Sequence, residues 1–213
     1  MLAVAGTVGA AGDNVGVSSA MVGELAWGAL ASPVGEISVA CSAAGLTRVG
    51  FGPPPFRPGP AGGPPGPAGG HLGAALAQVT EYFAGQRRAF DLPVDWMGMS
   101  PAQRQVLPVL LASAGYGETV TYGELARRAA LADGSAGLAD TSAVPAARVA
   151  GQIMGSNPCA IVVPCHRLVA SDGLGGYSGG AGVEVKRWLL IFEGALPPTL
   201  DWDPGGPAGP GTG

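Results

Sequence analysis

Cys165 and His166 stand side by side after the apolar run Ile161-Val162-Val163-Pro164. A thiol attacks only as the thiolate, and a nearby imidazole or a helix N-terminus favours that form. The chemistry open to such a pair is covalent catalysis by sulfur. A plainer reading stands against it, because a lone Cys after an apolar strand is usually a small buried hydrophobe. Adjacent residues also rarely point the same way, so His166 would have to act on Cys165 through a bridging water. The β-branched run itself predicts a buried strand. Pro164 should end that strand, having no N–H for a ladder.

The surroundings decide between the two readings. Upstream lie Ala146-Ala147-Arg148-Val149-Ala150-Gly151 and Gly155-Ser156-Asn157-Pro158. Downstream of Pro164-Cys165-His166-Arg167 lie Gly175-Gly176-Tyr177-Ser178-Gly179-Gly180 and the segment from Lys186 to Gly194. In this order and spacing the five motifs closely resemble the O6-alkylguanine-DNA alkyltransferases (methylated-DNA–protein-cysteine methyltransferases). The resemblance is close over Ser100–Gly194 and looser over Leu25–Trp96.

The resemblance implies direct-reversal DNA repair, in which Cys165 takes the alkyl group of O6-alkylguanine, or of O4-alkylthymine, and is spent. It makes His166 the base, linked to the thiol by a water, and Glu193 the carboxylate that orients it, in the manner of a triad. Taken alone, Glu193 at a helix end would read as a solvated charge. The target atom lies inside the duplex, so the nucleotide must be flipped out. Arg148 corresponds to the finger that fills the gap, and small Ala146, Ala147 and Gly151 would admit the DNA backbone. The family sets this helix in the minor groove. Tyr122 corresponds to the tyrosine that assists rotation and gives a proton to O6. Asn157 corresponds to the link between recognition helix and thiol loop, though Asn-Pro alone reads as a turn. Tyr177, Ser178 and Leu168 are expected in the wall of the substrate pocket. Arg167 reads as structural.

To position these residues the resemblance implies an α+β fold: a small N-terminal antiparallel, ribonuclease-H-like sheet domain followed by a mostly helical C-terminal domain with a helix-turn-helix. Short strands are expected at Leu25-Ala26-Trp27, Ile37–Ala40 and Leu46–Val49, with turns at Pro33–Gly35 and Ala44-Gly45. Gly52–Gly70, with eight Pro and seven Gly, predicts a loop. Leu72, Leu76, Val79 and Phe83 recur at helical spacing, with Gly85 placed to end the helix. Asp91–Val94 should return to the sheet. Ser100-Pro101-Ala102-Gln103 is a capping box, and Pro108 should kink or split the helix it opens. Thr121–Glu124 reads as a second capping box, for a helix to about Ala130. The next helix, Ala146 to about Gly155, would be the recognition helix. The 14 residues 131–144 lengthen a connection that usually takes about 3–4. A last helix runs Val183–Glu193. The expected division is 1–22 disordered, 23–97 the N-terminal domain with its 52–70 loop, 98–196 the DNA-binding and transfer domain, and 197–213 a disordered tail.

Composition bounds the partners. A net charge of −4 argues against binding DNA by bulk positive potential. Seven Lys/Arg balance seven Asp/Glu over Pro101–Glu193, so binding must rest on a local patch and non-ionic contacts. Three cysteines are too few and too odd in number for a disulfide framework. No signal peptide or membrane-length apolar run is seen, so a cytoplasmic monomer acting on double-stranded DNA with alkylated guanine is expected, without membrane. No cofactor and no metal are expected: Cys159, Cys165 and His166 lack a fourth ligand at usual spacing. Cys159 reads as core. Relatives that recognise damage without transfer carry tryptophan in place of the cysteine, and Cys165 argues against that alternative. A cysteine hydrolase would leave Arg148 and Tyr122 unexplained, and a DNA-binding regulator would need a further domain.

Overall fold

The computed structural model describes residues 25–53, 66–131 and 145–199. The expectations for 1–22 and 200–213, and nearly all of the 131–144 connection, fall outside these.

Three strands, β1 (Ala26–Ser32), β2 (Gly35–Ser42) and β3 (Gly45–Phe51), form an antiparallel meander in the order β1-β2-β3. Gly35 and Gly45 sit in the turns at positive φ (99° and 139°), where side chains are disfavoured. At Gly45 a Cβ would also fall 2.3 Å from the Pro93 carbonyl oxygen. β2 is buried on both faces from Ile37 to Cys41. One face takes α1 (Pro67–Phe83), through Leu72, Ala75 and Val79. The first four residues of that helix lie inside the expected loop, because Pro67 at its first turn suits the helix and has no N–H to lose. It ends before Gly85 (φ 72°), as the spacing predicted. Val94 returns to β3 through a bridge to Leu46.

The rest is largely helical. The Ser100 capping box is present, with Ser100 Oγ accepting from Gln103 N and the Gln103 side chain accepting from Ser100 N. It opens α2 (Pro101–Ser113), one uninterrupted element despite Pro108, so the expected split does not occur. Its buried Val106, Leu107 and Leu110 hold it to the core, and packing offsets the one lost backbone bond. β4 (Val120–Thr121) leads into α3 (Tyr122–Arg128). Thr121 caps that helix alone; Glu124 pairs with Arg128 instead of completing a box. α4 (Ala146–Met154) packs on α3, giving the helix pair of the expected motif. β5 (Leu168–Val169) pairs in parallel with β4, and α5 (Val183–Phe192) closes the fold over Leu189 and Leu190.

The expected strand at Ile161–Val163 is a correction. Only Cys159 bridges a strand, at Val49, with Val49 N donating to Pro158 O (2.9 Å) and Ala160 N to Val49 O (3.0 Å). The chain then turns, with Val163 N donating to Cys159 O, and Ile161 adopts φ 69°. A β-branched residue there is strained by about 1–2 kcal/mol. The run is apolar because it is buried, not because it is extended. β3 thus anchors the segment that delivers the thiol.

Candidate active site

Cys165 opens a 3₁₀ turn, Cys165–Arg167, whose side chains are all buried. The turn puts consecutive side chains in different directions, so Cys165 faces a cavity and His166 faces the interior. Cys165 is 8 % exposed and His166 fully buried. Asn157 Nδ2 donates to the thiol sulfur (3.1 Å) and to Val163 O (2.8 Å), while its Oδ1 accepts from Cys159 N (3.0 Å). One side chain thus ties the end of α4 to the thiol.

Behind the thiol lies a buried ionic cluster. His166 Nε2 is 2.8 Å from Glu193 Oε1. Arg167 donates from Nε to Oε2 (2.7 Å) and from Nη2 to Oε1 (2.9 Å). Tyr82, on α1, donates its hydroxyl to Oε1 (2.7 Å), and Arg167 Nη1 donates to Ala114 O (2.6 Å). Burial alone would raise the Glu193 carboxyl; the hydrogen bonds and charges of His166 and Arg167 outweigh it and hold it at about 2. A permanently ionised carboxylate accepts, so His166 Nε2 carries the proton and Nδ1 keeps a lone pair. Nδ1 is buried with no partner among the described residues. Burial also lowers the His166 pKa, which leaves the ring neutral at pH 7 and competent as a base.

The thiol itself is protonated at rest. Burial raises its pKa, against the lowering effects of Asn157, Tyr177 and Lys186. The Tyr177 hydroxyl lies against the sulfur, although its geometry falls short of a hydrogen bond to any described residue. Lys186 is a cation the sequence reading passed over. It is fully buried on α5, donates to Leu174 O and to Gly176 O (3.2 Å), and lies 5.7 Å from the Tyr122 ring centre. Burial brings it down from 10.5 to about 8, against the pull of Cys165.

A cavity of about 900 Å³ opens at the thiol, lined by Tyr122, Arg148, Gly151, Cys165, Tyr177 and Ser178 among others. Tyr122 Oη donates to Gly176 O (3.2 Å), and burial followed by the nearby Cys165 raises its pKa. Ser178 Oγ donates to Gly155 O (3.1 Å). Arg148 is exposed on the first turn of α4. A second cavity of about 380 Å³ shares Cys165, Tyr177 and Ser178 and extends toward β3.

Most expected site residues therefore converge. Asn157 meets Cys165 and Glu193 meets His166, two pairs joined through the Cys165–Arg167 turn, and Tyr122, Arg148, Ala147, Gly151, Tyr177 and Ser178 line the cavity above the thiol. Ala146 opens the same helix without lining either cavity. Leu168 is corrected: it is fully buried on β5, paired with Val120, and lines neither cavity. Apolar and next to the motif, it reads as pocket wall, but β5 turns it into the core. Tyr82 and Lys186 were missed. Tyr82 looks like one more apolar position of α1, and only a hydrogen bond across 111 positions reveals it. Among the described residues no group of His, Cys, Asp and Glu could hold a metal, and no helix is long and apolar enough to cross a membrane.

The chain matches two family models, the ribonuclease-like domain of 6-O-methylguanine DNA methyltransferase over residues 25–96 and the DNA-binding domain of the same family over 101–195. It is similar to the methylated-DNA–protein-cysteine methyltransferase of Mycolicibacterium paratuberculosis, 36% identical over 76% of this chain and 88% of that protein. A DNA base-flipping protein of Thermus thermophilus is 39% identical over 55% of this chain and 70% of its own length. Among solved structures, the Mycobacterium tuberculosis OGT in complex with DNA superposes with a TM-score of 0.61 at 32% identity, covering 85% of this chain and 95% of that one.

Proposed function

Because the chain belongs to the 6-O-methylguanine DNA methyltransferase family, we propose how its own residues perform direct reversal of DNA alkylation. The function is transfer of an alkyl group from O6-alkylguanine in duplex DNA to a cysteine of the protein. The observation that supports the assignment of roles is the connected path from Glu193 through His166 to the turn that bears Cys165, beneath the cavity edged by Arg148 and Tyr122.

In this reading residues 98–196 bind DNA and carry the reaction, and 23–97 support them. α4 enters the minor groove. Ala146, Ala147 and Gly151 admit the backbone, and Arg148 replaces the flipped base in the stack. The base enters the larger cavity with O6 toward the sulfur. His166 Nδ1 takes the Cys165 proton through a bridging water, and the imidazolium is stabilised by Glu193. Asn157 and Lys186 stabilise the thiolate. Its sulfur bonds the alkyl carbon, the carbon–O6 bond breaks with its electron pair moving to the purine, and Tyr122 supplies the proton that completes guanine. The His166 imidazolium releases its proton to solvent and Tyr122 regains one from solvent, so one thiol proton is exchanged for one alkyl group overall. O4-alkylthymine fits the same scheme. The protein acts as a monomer in the cytoplasm, where its three free cysteines stay reduced.

Transfer-free base flipping is the second reading, favoured by the Thermus relative. Incubation with a duplex carrying O6-methylguanine separates the two: intact mass should rise by one methyl group, mapped to Cys165. Unmodified protein that still binds the duplex would establish the second reading.

A further inference from the structure

Resting on the alkyl-transfer reading, we propose that Arg48 makes this chain favour alkyl groups that end in an anion. Arg48 lies on β3, outside the part of the chain that carries the reaction. Its Nε is buried without a partner, and the side chain makes no hydrogen bond or ion pair among the described residues. A charged donor left unsatisfied under cover is costly unless something else meets it. The guanidinium borders the 380 Å³ cavity, together with Phe51, Ala160, Cys165, Tyr177 and Gly179. Ser156, Ser178 and Asn157 add polar groups, and among the described residues no carboxylate lines this space. The neighbouring acid, Asp95, is engaged elsewhere: it accepts from Ser42 Oγ (2.6 Å) and Met97 N (3.0 Å).

The two cavities share Cys165, Tyr177 and Ser178 in their linings. With the base in the larger one and the reacting carbon between O6 and Cys165, the rest of a long substituent has the smaller cavity to occupy. That cavity also offers a planar cation with an unpartnered donor, which matches a carboxylate. Phe51 and Tyr177, edge to face at 6.3 Å, wall it. Gly179 packs directly against these rings, since a Cβ there would come within 2.5 Å of Phe51 and 2.7 Å of Tyr177. A methyl group carries no anion to meet Arg48, so the effect is confined to longer adducts that end in one. The transfer step is unchanged: sulfur bonds the alkyl carbon and O6 leaves.

The test compares second-order rates of transfer to Cys165 from duplexes carrying O6-methyl-, O6-carboxyalkyl- and O6-aminoalkylguanine, the last two of matched chain length. Each rate is referred to the methyl rate of the same protein. A charge-assisted contact should make the carboxyalkyl adduct react about tenfold faster than the aminoalkyl one. Arg48→Gln should bring the ratio near one, and Arg48→Lys should keep most of it. Equal rates for the two adducts in the wild type, or a ratio untouched by Arg48→Gln, would overturn the proposal while methyl transfer still upholds the alkyl-transfer reading. Absence of label on Cys165 from every duplex, methyl included, would instead remove the reading itself.

Discussion

Glu193→Gln removes the charge at the centre of the buried cluster, and its effect on stability can be worked out as a function of pH. The carboxyl is held at about 2 in the folded protein against an ordinary 4.5. At about 1.4 kcal/mol per tenfold, that difference is worth on the order of 3 kcal/mol. A depressed folded pKa means that the unfolded chain binds the proton first. The contribution is therefore complete above pH 4.5 and is lost as the pH falls toward 2. By linkage, nearly 2 kcal/mol of it should disappear between pH 5 and pH 3. Urea unfolding of wild type and Glu193→Gln across pH 7 to 3 measures this, because carboxylates common to both cancel in the difference. At pH 7 the variant should be less stable by roughly 3–5 kcal/mol, since Arg167 is left buried without its counter-ion. The gap should narrow toward acid. A constant gap from pH 7 to pH 3 would refute the assignment of Glu193 as a buried, ionised acceptor. Alkyl transfer should also fall by on the order of 10²–10⁴, because the His166 ring loses the acceptor that fixes its tautomer.

Other outcomes follow from the same geometry. Arg148→Ala should slow repair of duplex far more than reaction with free alkylguanine base, because the finger offsets only unstacking, a few kcal/mol that the free base does not require; equal losses would sink the finger. Tyr122→Phe should slow both substrates, measured in the same two assays. Transfer should hold as pH falls through 6.5 and decline only below it, because burial keeps His166 neutral past its ordinary range and protonation then blocks the base; a decline centred at or above 6.5 would contradict its buried state. Titration against methylated duplex should stop at one methyl group per chain on Cys165, since a thioether has no good leaving group; repeated turnover, or label on Cys41 or Cys159, would contradict the scheme.

The hairpins and helices were legible because local signals and burial agree there. Pro33–Gly35 and Ala44-Gly45 mark the turns, and Leu72 to Val79 marks the buried stripe of α1. The site was legible through its short motifs. What failed had a common cause: apolar composition reports burial, not conformation. Ile161–Val163 is buried in a turn, and Leu168 is buried in β5. The charges were harder still. Arg167 read as structural, yet it supplies two of the donors that keep Glu193 ionised. Tyr82 and Lys186 acquire their roles only when distant elements dock, and no spacing rule reaches across the 111 positions from Tyr82 to Glu193.

The protonated, nearly enclosed thiol has a consequence for survival in a cell full of small electrophiles. A protein that reacts once loses a whole molecule to every misdirected alkylation. Burial of Cys165 raises the thiol pKa and leaves little surface, which disfavours attack by soluble alkylating agents. In the proposed mechanism nucleophilicity is called up when an alkylated base occupies the cavity and His166 takes the proton. Selectivity here is temporal: the sulfur is kept from reacting until the correct partner arrives.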